Sequence, residues 1–126
     1  MQFINSSDPQ RPLYEIKANL FKGLAHPLRI RALEILSAGD EVSVTELLDH
    51  MGIEASHLSQ HLAVLRRYGL VVSQRRGSVV FYRLAHPQVG ELLRVARALL
   101  AEVLSSSQEQ LTSFETLPPI PAVVTR

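Results

Sequence analysis

The sequence predicts a mainly α-helical domain that carries one small β-hairpin, and three observations lead there. Between Glu54 and Arg67, the residues Leu58, Leu62 and Leu65 recur at i, i+4 and i+7, so they share one face of a helix. Directly after that helix, Gly69 supplies a stop, and two β-rich runs follow. These runs, Leu70 to Gln74 and Val79 to Leu84, are joined by Arg75-Arg76-Gly77-Ser78. Directly before it, Val44 to His50 shows a second short helical pattern, only a few residues away. Two helices across so short a turn form a helix-turn-helix. A helix-turn-helix followed by a basic-tipped hairpin is the winged variety, with about five helices and a two-stranded wing expected from the periodicities.

The elements can be justified in order. Residues 1–12 are polar, hold Pro9 and Pro12, and read as a flexible arm. Leu13, Ile16, Leu20, Phe21 and Leu24 keep a helical period until Pro27 imposes a boundary. Pro27 suits the first turn of a new helix, where its missing N–H costs nothing. Leu28, Ile30, Leu33, Ile35 and Leu36 make that helix strongly apolar and place it in the core; Ala38-Gly39-Asp40-Glu41 closes it. Ser43 with Glu46 three residues on is a capping box, which opens the short helix that Gly52 ends. Arg76-Gly77 is a hairpin turn signal.

From Pro87 to about Ser105 runs a last long helix with Val89, Leu92, Leu93, Val95, Ala96, Ala98, Leu99, Leu100, Val103 and Leu104. This stripe is wider than one buried face requires. The expected solution is a second subunit, since obligate dimer interfaces resemble a core cut in half. The predicted dimer contacts are Leu13, Ile16 and Leu20 from the first helix, with Val89, Leu92, Leu93, Ala96, Leu99, Leu100 and Val103 from the last. Residues 13–105 then form the domain and 106–126 a tail, in which Leu111, Phe114 and Leu117 could dock a short helical extension.

Composition narrows the class. A length of 126 residues allows one domain, and a 46% apolar content is too high for a disordered chain. The apolar runs are too short to span a membrane. The first residues carry neither a basic start nor an apolar core, so no secretion signal is expected and the location should be cytoplasmic. The absence of cysteine excludes disulfides, thiolate metal sites and cysteine nucleophiles. Net charge is only +1, but Glu54 to Leu84 hold five arginines against one carboxylate. The positive charge therefore concentrates on the helix and hairpin singled out above, as the footprint of a nucleic-acid reader should.

The candidate DNA contacts follow. Ser56, His57, Ser59 and Gln60 lie opposite the leucine face, and such side chains reach base edges when a helix enters the major groove. Alone they would be an ordinary solvated face; the adjoining hairpin favours contact. Arg75 and Arg76 are either plain tip charges or phosphate and minor-groove contacts. Arg66 and Arg67 either offset the helix dipole or touch phosphates. His57 and His61 have metal-ligand spacing, but no third ligand is placed. His26 and His86, each before a proline, read as helix-start residues, and His86 with Glu102 is the remaining candidate for an interhelical metal. Asp40 and Glu41, adjacent acids on a turn, are expected to face solvent. There is no phosphate loop, nucleophile motif or complete metal constellation, so no enzyme is expected. A protein-docking module is the alternative, but it would show aromatic anchors, and the polar helix face has none.

Three stretches also carry a family resemblance. Phe21-Lys22-Gly23-Leu24-Ala25-His26-Pro27-Leu28-Arg29-Ile30-Arg31 resembles the "ALAxPxRLxIL" opening of the ArsR/SmtB repressors. Leu58 to Val71 is similar to that family's "VSxHLxxLxxAGLV" recognition helix, and Arg75 to Leu84 to its wing, "RxGxxxxYxL". The resemblance spans roughly residues 13–105. It implies a homodimer paired through the first and last helices, a palindromic double-stranded DNA operator, and release by an inducer. The family's metal sites use cysteines on the short helix before the recognition helix, where this chain has Glu46-Leu47-Leu48-Asp49-His50, or four ligands on the last helix. At those four positions stand His86, Gln88, Leu99 and Glu102, so no metal cofactor is expected at the usual sites.

Overall fold

A computed structural model of the chain describes residues 9–105 and 108–121. The element order is α1 (Arg11–Leu24), α2 (Pro27–Leu36), β1 (Val42–Ser43), α3 (Val44–Met51), α4 (Ala55–Arg67), β2 (Val71–Arg76), β3 (Val79–Leu84), α5 (Gln88–Leu104) and α6 (Gln108–Glu115). The strands form one antiparallel sheet in the order β1-β3-β2. This is a winged helix-turn-helix, with a third strand and a sixth helix beyond the expected set.

Local chemistry sets the boundaries. Helix α1 begins at Arg11, so Pro12 sits in its first turn rather than in an arm. Proline is tolerated there because the first N–H groups of a helix have no partner to lose. Its last carbonyls are capped from the next helix: Arg29 Nε donates to Gly23 O at 2.8 Å and Nη2 to Lys22 O at 3.2 Å. His26 caps α2, its Nδ1 accepting from Leu28 N at 3.1 Å, with Pro27 following. The capping box of α3 is present, Ser43 Oγ accepting from Glu46 N at 3.1 Å. That helix ends on Gly52 at φ 63°, a left-handed conformation that a residue with a Cβ adopts only with strain. The chain thereby turns from α3 into α4 within three residues.

The core lies where α2, α3, α4, α5 and the sheet meet. Leu33, Leu36, Leu47, Leu58, Leu62, Leu65 and Val71 are its largest fully buried side chains. Gly23 lets α1 approach the end of α4, since a Cβ there would lie 3.0 Å from Tyr68 Cβ. Val89 and Leu93, expected at the dimer contact, are instead buried in this core, and Leu92 packs against its edge. At roughly 100° per residue, Leu93 lies about 40° from Val89 on the inward face, whereas Val95 and Leu99 are turned about 120° and about 80° away from Val89; Val103 is exposed because it lies beyond Leu93, the last α5 residue buried in the core.

The end of the chain is packed too. Helix α6 lies along α5, and Phe114 and Leu117 line an apolar cleft with Leu100 and Leu104. The side chain of Leu111, named with them above, lies outside the described residues. Arg97 Nη1 donates to Pro118 O at 3.0 Å, and Arg31 Nη1 to Pro119 O at 3.4 Å. The stretch after Ser105 is thus partly an extension of the domain.

Candidate nucleic-acid interface

Helix α4 follows from its pattern. Leu58, Leu62 and Leu65 are buried, and Ser56, His57, Ser59 and Gln60 are all exposed on the opposite side. The buried leucines fix the helix, so the polar face is presented from a rigid element. All four polar residues belong to its first half. Arg66 and Arg67 are exposed at the other end, roughly 16 Å from Ser56 at 1.5 Å per residue. A side chain that reads bases from the N-terminal turns therefore has no arginine beside it on α4.

His61, one turn after His57, does not join it in a ligand pair. Its ring packs on that of His26, with centroids 4.2 Å apart and planes at 44°. Partial burial, then the positive potential of His26, Arg29 and His57, hold its pKa below the ordinary 6.5. This ring contact joins the recognition helix to the start of α2. Among the described residues no three His, Asp or Glu side chains cluster to hold a metal. His86 and Glu102 stand at opposite ends of α5, roughly 24 Å apart along its axis. Within one chain they cannot share an ion.

The wing is a hairpin in which β2 runs two residues further than expected, so Arg75 and Arg76 are strand residues and Gly77-Ser78 is the tip. Facing partners in the register, such as Arg75 with Val80 and Arg76 with Val79, point to the same side. Successive residues alternate, so the two arginines leave opposite faces. Arg75 shares the side of Val71 and Tyr82, both buried, and projects from it into solvent.

Arg76 differs from the expectation. Its guanidinium lies 4.0 Å from the centroid of the Phe81 ring. It also grips the carboxylate of Glu41, Nη1 donating to Oε2 at 3.2 Å and Nη2 to Oε1. The hydrogen bond to Glu41 raises its pKa. Its charge is thus answered inside the chain. The reason could not be read from sequence, because β1 brings Glu41 beside the wing from 35 residues away. Glu41 is accordingly half-buried, not solvent-facing like Asp40. Arg66, Arg67, Arg75 and Arg83 have no ion-pair partner among the described residues. Arg83, exposed on β3, joins them as a candidate that neither the helix pattern nor the hairpin tip marks in the sequence.

The predicted dimer residues sort into two groups. Leu13, Ile16, Leu20, Ala96, Leu99, Leu100 and Val103 are exposed, the large ones from 36% for Leu20 to 64% for Ile16, whereas Val89 and Leu93 are buried in the core and Leu92 is partly buried against it. Tyr14, Phe21 and Val95 add to the exposed apolar surface of α1 and α5. Val95, at 66%, has the spacing of Leu99 and Val103 and was readable as part of that face.

A rigid polar helix face, a neighbouring wing and uncompensated arginines define a winged helix-turn-helix DNA-binding regulator. Residues 24–74 match the helix-turn-helix domain family. A Mycobacterium tuberculosis protein described as an HTH-type transcriptional regulator is 55% identical over 75% of this chain and 82% of its own length. An arsenic resistance transcriptional regulator of Pseudomonas putida is 34% identical over 74% of this chain and 70% of its own. Among solved structures, the crystal structure of M. tuberculosis Rv0081 superposes with a TM-score of 0.68 at 51% identity, covering 79% of this chain and 97% of that one. A homodimeric winged helix-turn-helix DNA-binding domain from Mycobacterium bovis, described as a possible ArsR-family regulator, also gives 0.68, at 28% identity, covering 79% and 92%. The chain belongs to the ArsR/SmtB family of winged helix-turn-helix transcriptional regulators. No helix among the described residues is long and apolar enough to cross a membrane.

Proposed function

We propose that the protein is a cytoplasmic, homodimeric repressor that binds a palindromic operator through α4 and its wing. The observation that carries this is the exposed Ser56, His57, Ser59 and Gln60 face, backed by three buried leucines. These residues read base edges, while Arg75 and the arginines at the end of α4 contact phosphates. The apolar faces of α1 and α5 support a two-fold dimer, as does the homodimeric M. bovis relative. Two-fold symmetry sets two recognition helices on half-sites about one DNA turn apart, roughly 34 Å.

Release of DNA needs an effector, and the residues argue against a metal at the family's sites. A relative in Streptomyces lividans is described as a probable mercury resistance operon repressor, at 34% identity. This chain has no cysteine, and Leu99 and Gln88 stand where ligands are needed on α5. The effector of this reading is therefore not a metal held at those two sites. Selection from a random duplex DNA pool with the purified protein tests the reading. Enrichment of one inverted repeat is the expected result. Retention without a shared motif would refute sequence-specific repression, and no retention at low salt would favour a protein-docking module.

A further inference from the structure

A cleft of about 530 Å³ lies between α2, the end of α3, α5 and the chain after α6. Its volume falls within the roughly 300–1,000 Å³ of small-molecule pockets. Ile30, Met51, Leu93, Leu100 and Leu117 make its walls apolar. One end is charged. Glu34 is largely buried, and both its oxygens accept from Arg97 Nη2 at 2.9 Å. Arg31 Nη1 stands 3.6 Å from Glu34 Oε1. Two guanidiniums thus share one carboxylate, and the end of the cleft keeps a net positive charge. Each arginine also donates from Nη1 to a neutral acceptor, Arg97 to the carbonyl of Pro118 and Arg31 to that of Pro119.

We propose that this cleft binds a small carboxylic acid with an apolar body, and that the acid displaces the docked tail. The ligand carboxylate takes the positions of the two proline carbonyls on Arg97 and Arg31. The exchange replaces guanidinium–carbonyl bonds, in which only the donor is charged, with guanidinium–carboxylate bonds, in which both partners are charged and the geometry can be bidentate. The body lies along Ile30, Leu93 and Leu100. The other chemistries fit less well: a cation meets two guanidiniums, an inorganic anion leaves the apolar walls wet, and a neutral apolar molecule leaves the positive end unanswered. The cleft is walled by Met51 at the end of α3, which leads into α4, and by α5, which carries the exposed Leu99 face. As an effector site the cleft rests on the regulator reading; as a binding site it does not.

The test uses the full chain with octanoate, and octan-1-ol as the uncharged control. Calorimetry should show saturable binding of one octanoate per protomer, at least tenfold tighter than the alcohol. Arg31→Gln should weaken octanoate tenfold or more while the Glu34–Arg97 pair stays in place. Ala96→Trp, which fills the cleft from α5, should abolish binding. The methyl resonances of Leu117, half-exposed while the tail is docked, should shift on saturation as it leaves the cleft wall. Three results would overturn the proposal: no saturable binding of octanoate, equal affinity for octanol, or binding that survives both substitutions. No DNA enters the assay, so its failure leaves the regulator reading standing, and failure of that reading leaves this result unaffected.

Discussion

Replacing Leu99 by Asp separates the fold of the protomer from its assembly. Val95, Leu99 and Val103 are 66%, 61% and 63% exposed in the single chain, and none belongs to the core. Moving three-fifths of a leucine side chain out of water contributes about 1–2 kcal/mol. A two-fold interface counts each residue twice, so Leu99→Asp removes about 2–4 kcal/mol. It also places two carboxylates against apolar partners, which costs at least about 2 kcal/mol more. The total of about 4–6 kcal/mol weakens dimerisation by roughly a thousandfold to ten-thousandfold. Sedimentation velocity should find the wild type dimeric and the variant monomeric at the same micromolar concentration. Circular dichroism should find the variant folded, with a cooperative melt. Leu93→Asp is the contrast: its leucine is 6% exposed in the core, and the variant should lose the fold itself. A Leu99→Asp dimer constant within tenfold of wild type would refute the α5 interface, and so would a monomeric wild type.

The remaining predictions concern the reader. Arg75→Ala should lower affinity for all duplexes and reduce the salt slope by about 0.9, the share of one phosphate contact, whereas Arg76→Ala should change the slope less because Glu41 already answers that charge. Titrations across salt concentrations check both, and equal slopes for the two variants would contradict the Arg76–Glu41 assignment. Gln60→Ala should cost about 1–3 kcal/mol on the preferred sequence and little on others, measured by competition between operator and random DNA. Stability should depend on His61. Its folded pKa lies below 6.5, so below that pH the unfolded chain binds a proton that the folded chain refuses. This contribution is complete above 6.5 and is lost as pH falls from there through the lowered folded pKa. His61→Gln should flatten the decline in melting temperature on acidification; an unchanged decline would show that other groups set it.

Much of the architecture was readable because it rests on local rules. The leucine period of α4, the capping box of α3, Pro27 opening α2 and the hairpin signal at Gly77 each act within a few residues. Strand β1 was missed because two residues carry no period, and only their partners Tyr82 and Phe81 define them. Helix α6 was anticipated only as a docking possibility, since its apolar residues are sparse.

The sequence by itself determined which residues form the recognition helix, its polar face and the wing, because periodicity and turn chemistry are properties of neighbours along the chain. It also showed that α5 is too apolar for one partner. Only the tertiary structure decided how that apolar surface divides, burying Val89 and Leu93 and leaving Val95, Leu99 and Val103 exposed. It likewise paired Arg76 with Glu41, Glu34 with Arg97, and His61 with His26. Each of those contacts joins residues 35 or more positions apart. Packing angles between elements bring them together, and no pattern within a single element encodes those angles.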